Sequence, residues 1–530
     1  MVLDWLRLPP AAARRGRRLG YTAASPPGTA VLLLRSATAA CLLACALITN
    51  AALPPVPFPA ENPLNEPKRL LGKILFWDEQ LSSDNTVACG SCHRPAAGGG
   101  DPRDALHPGE DLGTIDDVHG SPGIRQLDSQ GRPVAHPKFG HEPQVTPRLS
   151  PSIFGALWAD SLFWDGRAET RFIDPLTDQV AIESGGALES QTLMALMSDA
   201  EMSKSGRTWA ELTDKLQRVA PLALAREWPA DVAAGLAGER GYPALFEAAF
   251  GNPAITPVRI AFAIATYQRT LVADDTPWDR YEAGNEDALN AAEIYGWRAM
   301  QDFHCVNCHT PPLFTNNDFL NIGLRRAEFD AGRQIVSGRT EDAGDVKVPS
   351  LRNIGLRKRF MHTGQFDSLG AAIGFYRTGS PTPERDDIPG VGIYAFNMGA
   401  LTDADIQTFL ATALTDPRVR DETFPFDRPI LRTERHLEDR SPPRLPPSLT
   451  AQAQGSRLRL QWQQPDDDTG VVDYVLFRDG APLAYTSRIY FVDDFDAATA
   501  ARYRLIARDA AGNESPPAVL DIGAKQQGKQ

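Results

Sequence analysis

Two pentapeptides, Cys89-Gly90-Ser91-Cys92-His93 and Cys305-Val306-Asn307-Cys308-His309, share the spacing C-x-x-C-H. Both thiols of such a run can add to the vinyl groups of a haem as thioethers, and the adjacent histidine then lies under the ring with a nitrogen for iron. Cys89, Cys92, Cys305 and Cys308 are therefore candidate anchors of two covalently attached c-type haems, and His93 and His309 their candidate proximal iron ligands. C-x-x-C pairs also bind zinc, but a histidine after both pairs in an exported chain favours haem. The two remaining cysteines, Cys41 and Cys45, fall in an N-terminal targeting segment, so the mature chain keeps none for a disulfide.

An iron with an imidazole on one side and no strong ligand on the other can bind peroxide. The chemistry then asks for an acid/base group and a hydrogen-bond donor over the open face. Gln191 and Glu201 carry groups of those two kinds. Glu201-Met202 also reads, more plainly, as the opening or closing of a helix.

The elements that must hold these residues are mostly helical. Glu66-Pro67 opens a helix whose Leu70, Leu71, Ile74 and Leu75 recur at helical spacing, and Thr256-Pro257 starts another that runs to Leu271. From His93 to about Ser150 the many Gly, Pro and Asp residues predict a long irregular loop around the first haem. Its histidines, His107, His119, His136 and His141, could each reach the far side of the iron; each also reads as a solvated loop histidine. From Pro442 to Ile522 the pattern changes to alternation, as in Leu458-Arg459-Leu460-Gln461-Trp462, with turns at Asp479-Gly480 and Gly512-Asn513.

At 530 residues the chain predicts roughly three or four domains. Its net charge of −13 gives nucleic acid or an anionic membrane no general reason to bind, and suits a partner with a basic patch. Arg14, Arg15, Arg17 and Arg18, the apolar run Ala39 to Ile48, and the small residues before Pro54 read as an export signal with cleavage near Ala52, hence a periplasmic protein. Leu42-Leu43-Ala44-Cys45 also resembles a lipobox, which would anchor the chain to a membrane through a lipid on Cys45.

Motifs then appear in a fixed order: Leu71-Gly72-Lys73 to Leu81-Ser82, the first C-x-x-C-H, Phe163-Trp164-Asp165-Gly166-Arg167, Ala265-Thr266-Tyr267-Gln268-Arg269-Thr270-Leu271, the second C-x-x-C-H, and Val348-Pro349-Ser350-Leu351-Arg352-Asn353 followed by Phe360-Met361-His362-Thr363-Gly364. Over about residues 60 to 425 the chain thereby resembles the bacterial dihaem cytochrome c peroxidases and their MauG relatives. The last part is similar to a fibronectin type III sandwich, with Trp462 and Tyr503 as its core tryptophan and tyrosine. The implied fold is mainly α, two cytochrome c-like haem domains followed by an all-β immunoglobulin-like sandwich. The expected divisions are a targeting segment 1–52, an N-terminal peroxidatic domain 53–285, a C-terminal haem domain 286–430, a linker 431–441, the fibronectin-like domain 442–523 and a tail 524–530.

The resemblance also implies roles. Gln191 would orient hydrogen peroxide and Glu201 would shuttle its proton, both over the first haem, while Trp164 would lie between the haems. Trp164 sits seventeen residues further upstream than the family pattern places it, which predicts an inserted surface hairpin between Arg167 and Gln191. The family's capping loop histidine falls near Gly109, two residues from His107, so the first haem is expected to be open. Fourteen residues after His362, where classical members carry a methionine ligand of the second iron, stands Tyr376, as in MauG. A phenolate there would favour the higher oxidation states of iron; the alternatives are a core aromatic at Tyr376 and a thioether from Met300, Met361 or Met398. Calcium between the haems stays open, because Leu149 and the run Arg357-Lys358-Arg359 occupy the corresponding positions.

The function implied is a periplasmic MauG-type oxidoreductase that uses hydrogen peroxide to oxidise an external donor, with a protein among the candidate donors. Its rivals are a peroxidase that detoxifies peroxide with electrons from a small cytochrome and a dihaem electron-transfer protein without turnover. No nucleic-acid partner is expected, and a membrane only if Cys45 is lipidated.

Overall fold

The computed structural model describes residues 52–530 apart from 110–115, 129–133, 141, 239, 379–399, 435–440, 455–456, 468–470, 487–488, 496–499, 510–512 and 524–530. The predicted targeting segment, Cys41, Cys45, His141 and Met398 lie outside the described residues. Among those residues no helix is long and apolar enough to cross a membrane.

The first helix, Glu66–Phe76, starts where Asn65 Oδ1 accepts the Lys68 N–H at 2.8 Å and Pro67 fills the first turn. Its buried face, Leu71, Ile74 and Leu75, packs on the helix Pro257–Gln268. The approach is close enough that a Cβ on Gly72 would lie 1.9 Å from the Ala263 carbonyl oxygen, so only glycine serves there. Lys73, buried by that contact, ends between Asp231 and Asp427, both 2.9 Å from its Nζ.

The second helix of this pair stops at Gln268, short of Leu271, with Arg269 as its C-cap. Its guanidinium reaches the Glu189 carboxylate at 2.6 and 3.0 Å, and both side chains are almost wholly buried. Glu189 stands in the helix Ala187–Met197, which carries Gln191, so this ion pair fixes the Gln191 helix against Pro257–Gln268.

The stretch from His93 to Ser150, expected to be irregular, contains two short antiparallel ribbons, Ala105–His107 with Val118–Gly120 and Pro122–Arg125 with Pro143–Val145. Strands of three or four residues are too short to show alternation, which hid them in the sequence. Between Arg167 and Gln191 the structure has a hairpin of Phe172–Ile173 and Val180–Ile182, with Ile173, Leu176 and Val180 exposed.

The second haem segment has its own core, in which Trp278, Met300, Phe314, Phe409 and Leu414 are buried and Cys305 is packed against them. The chain then returns: Val419, Phe426 and Leu431 are buried in the first core with Leu71, Trp77 and Tyr267. Beyond it, strands Thr450–Gln454, Arg457–Gln461 and Tyr490–Asp493 form one antiparallel sheet. Ala481–Thr486, Val471–Arg478, Ala501–Asp509 and Ala518–Ile522 form another. Leu460, Trp462, Tyr474, Leu476, Tyr503 and Leu505, drawn from both sheets, are buried in a single cluster.

Candidate functional site

Cys89–Cys92 is a single helical turn, set directly on the indole of Trp77. A Cβ on Gly90 would come within 2.2 Å of that ring, and Trp77 is held from behind by the Tyr267 hydroxyl, 3.2 Å from its Nε1. Cys89, Cys92 and His93 all line one small cavity. His93 Nδ1 donates to the Gly99 carbonyl at 3.2 Å, and His309 Nδ1 faces the carbonyls of Phe314 and Pro349, each at 3.2 Å. A carbonyl can only accept, so in both rings the proton is fixed on Nδ1 and Nε2 is left for a metal. Burial lowers both histidines below their ordinary pKa, which keeps them neutral.

Among the described residues no three His, Cys, Asp or Glu side chains converge as a closed metal site would require. A cavity of about 880 Å³ instead opens beside Cys92 and His93, within the range of about 300–1,000 Å³ typical of cofactor and ligand sites. Its size and its lining by Cys92 and His93 fit a haem, and Cys89 lines a smaller adjoining cavity together with those two residues.

The same cavity is lined by Gln191, Glu201, Trp164, Arg167 and His107. Glu201 is held by its backbone. Its N–H donates to the Ser198 carbonyl at 3.2 Å, and its own carbonyl accepts from Ile124 N at 3.0 Å. Glu201 therefore sits in a turn just beyond the Gln191 helix and opens no helix of its own. Burial pushes its carboxyl above the ordinary glutamate value, opposed by the Arg167 guanidinium and a hydrogen bond with Ser198.

Trp164 and Arg167 come from the tight loop of the ribbon Ser161–Leu162/Ala168–Glu169, in which Phe163 and Gly166 take φ of +67° and +77°. That loop aims the Trp164 indole inward, with Nε1 donating to the Leu149 carbonyl at 2.6 Å, and lays Arg167 over the Phe163 ring at 3.6 Å. The role of Arg167 was not legible: nothing in the spacing places it beside a carboxylate thirty-four residues later. The loop histidines separate clearly. His119 Nδ1 is 2.7 Å from Asp104, and His136 Nδ1 accepts from the Lys138 and Phe139 amides, whereas His107 lines the cavity itself.

Around the second motif, Tyr376 lies half-buried on the helix Leu369–Thr378, packed with Phe360, Phe366, Phe375 and Met361. Ile354 and Leu369 touch both this cluster and the one against which Cys305 packs, so the Tyr376 helix borders the second haem segment. Met300 is a core residue, 1 % exposed in the cluster with Trp278 and Phe314. At the positions considered for calcium, Leu149 is buried, Arg357 Nη2 donates to the Ser150 carbonyl at 2.7 Å, and Arg359 pairs with Asp104.

Residues 66–287 match the family model described as di-haem cytochrome c peroxidase. The chain is similar to the methylamine utilization protein MauG of Methylophilus methylotrophus, 28% identical over 358 residues that cover 67% of this chain and 84% of that protein. It is also similar to the cytochrome-c peroxidase IdrP1 of Denitromonas iodatirespirans, 27% identical over 405 residues, 70% of this chain and 88% of the relative. Among solved structures, a MauG-like protein associated with microbial copper homeostasis aligns with 71% of this chain and 96% of its own at 24% identity, with a TM-score of 0.48. The family model and the relatives support a di-haem peroxidase-type oxidoreductase with haem cofactors.

Proposed function

We propose that the protein is an exported MauG-type dihaem oxidoreductase that reduces hydrogen peroxide at the first haem and oxidises an external donor, with a protein as the favoured class. The observation that carries this reading is the convergence of His93, Gln191, Glu201, Arg167 and Trp164 on one cavity. The haem held by Cys89, Cys92 and His93 would supply the iron at which the O–O bond is cleaved.

The residues then have separable tasks. The Glu201 carboxylate takes the proton from the near oxygen of hydrogen peroxide and delivers it to the departing oxygen. The raised pKa suits a group that must both accept and return a proton. The Gln191 amide, lining the same space, donates to and orients the peroxide, and Arg167 offsets charge that gathers on the oxygens. Two electrons and two protons convert peroxide to two waters, so the donor must give up two electrons in all.

Tyr376 supports the MauG-type version over simple detoxification, because a phenolate ligand on the second iron would help hold oxidising equivalents. The two sheets of the C-terminal segment, with Tyr503 donating to Asp493 Oδ2 at 2.8 Å in their common core, support a fibronectin type III-like module. The test is the optical and EPR spectrum of the purified protein before and after one equivalent of hydrogen peroxide. A high-spin ferric signal that peroxide discharges is expected. A first iron with strong ligands on both faces, His107 being the cavity's candidate, and no reaction with peroxide would refute the reading in favour of electron transfer alone.

A further inference from the structure

The ribbon Pro122–Arg125/Pro143–Val145 has two faces with different partners. One holds the turn that carries Glu201. Ile124 N donates to the Glu201 carbonyl at 3.0 Å, and Gln144 Nε2 donates to the Asp199 carbonyl at 2.7 Å. A Cβ on Gly123 would lie 2.2 Å from the Ala200 carbonyl oxygen and 2.6 Å from that of Glu201, so strand and turn are in direct contact. Ile124 itself is fully buried in the first core. The backbone of Glu201 is thus fixed by this ribbon from outside the cavity.

The other face meets the C-terminal β segment. Arg125, the residue after Ile124, donates from Nη2 to the Val471 carbonyl at 3.3 Å. Val471 opens the long strand Val471–Arg478 at the centre of the four-stranded sheet, and it is 1 % exposed. Three residues on, Tyr474 lies within the electrostatic reach of Arg125 and of Glu142, which precedes the ribbon's second strand. The contact therefore joins a buried strand of the C-terminal β domain to the ribbon.

We propose that the C-terminal β domain braces the peroxide-side carboxylate: Arg125 ties the Val471 strand to the ribbon that holds the backbone of Glu201. Arg125 is then a positioning residue for Glu201, and the C-terminal β domain acts on the first haem's cavity through the ribbon, without lining it. Acid/base groups work only when held to within about 0.5 Å of their productive geometry, so a brace on the backbone of Glu201 acts on rate through position. This rests on the reading of Glu201 as the distal acid/base group.

The test uses the full-length holoprotein with Arg125→Ala and Arg125→Lys. Hydrogen exchange by mass spectrometry reads the 122–127 and 199–203 peptides, with the two C-x-x-C-H peptides as internal references. Arg125→Ala is expected to speed exchange at 122–127 about three- to tenfold, the effect of losing one ordinary hydrogen bond, with the references unmoved and Arg125→Lys close to the parent. The rate of the first haem's reaction with hydrogen peroxide is expected to fall several-fold in Arg125→Ala and recover in Arg125→Lys. Unchanged exchange at 122–127 overturns the brace. Faster exchange with an unchanged peroxide rate overturns its effect on Glu201 when Glu201→Gln abolishes that rate. If Glu201→Gln also leaves the rate unchanged, it is the reading of Glu201 that has failed, and the positioning role with it.

Discussion

Glu201→Gln removes the proton-accepting group while keeping the side chain's length and its capacity to hydrogen-bond. General acid–base groups contribute about 10²–10⁴ in rate. Gln191 and Arg167 remain in the cavity to orient and polarise peroxide, so the loss should lie toward the lower end, about 100- to 1,000-fold or about 3–4 kcal/mol of barrier. The pH profile carries the sign. Burial raises the Glu201 pKa, with Arg167 as the chief opposing charge; the reactive carboxylate is present above that pKa and lost below it. The parent's rate must therefore fall as pH is lowered through a value above that of an ordinary glutamate, and the Gln variant must be flat there. Arg167→Gln should move the parent's midpoint upward. Stability separates the effect from misfolding. A carboxyl with a raised folded-state pKa costs stability above the unfolded pKa, so at neutral pH the neutral Gln should unfold no earlier than the parent. Stopped-flow spectroscopy across pH, with a denaturation curve for each variant, measures all of this. A Gln variant that reacts as fast as the parent, with the same pH dependence, refutes the assignment.

Arg269→Met leaves Glu189 as an unpaired buried carboxylate, a change that typically costs about 3–5 kcal/mol. Asn62 Nδ2 still donates to Glu189 at 2.8 Å, so a loss near about 3 kcal/mol is expected in equilibrium denaturation, and an unchanged midpoint would argue that the pair is not anchoring the Gln191 helix. Tyr376→Met should raise the second haem's midpoint potential and introduce a near-infrared methionine–iron charge-transfer band; spectra and potential identical to the parent's would show that Tyr376 is not an iron ligand. Chelation with EDTA should leave both haem spectra unchanged. Buried Leu149 offers no side-chain oxygen, its carbonyl already accepts from Trp164, and the nearby Arg357 and Arg359 side chains bring positive charge, whereas a chelator-dependent spectral change reversed by calcium would contradict this.

What could be read from the chain was what depends on near neighbours. Asn65, Thr256 and the prolines beside them mark helix starts because capping is a contact over three residues, and the C-x-x-C-H runs carry the haem expectation within five residues. The hairpin inserted after Arg167 was legible as a length difference. What stayed hidden is made of distant contacts between elements too short to show a period. Ribbons of two to four residues hold Trp164, Arg167 and Glu201. The return of Val419, Phe426 and Leu431 to the first core, and the bond from Arg125 to Val471 across 346 residues, leave no local trace. Arg167 was visible as part of a motif, yet only folding puts its charge beside Glu201.

Trp164 shows what such distant contacts do for the proposed chemistry. Its indole is pinned by Nε1 to the Leu149 carbonyl, while Leu149 N donates to the His362 carbonyl at 2.8 Å and the His362 ring stands 6.0 Å from the indole. Lys347 N, from the second haem segment, donates to the Trp164 carbonyl at 2.8 Å. Arg148 spans Asp165 and Asp330 at 2.7 and 2.6 Å and locks the adjoining loops together. The tryptophan is thus clamped by both haem segments at once, which fixes its ring against rotation. If oxidising equivalents cross between the haems through this ring, its hydrogen bond decides the form they take. A backbone carbonyl can share the indole proton but cannot accept it, so an oxidised Trp164 would keep its proton and its positive charge. Burial disfavours that charge, which makes Trp164 a step to pass through and not a place to rest. A Trp164→Phe variant should therefore slow sharing between the haems, followed as the lag between the spectral changes of the two after peroxide, while leaving the first haem's own reaction with peroxide intact; equal loss of both would place Trp164 in the peroxide step itself.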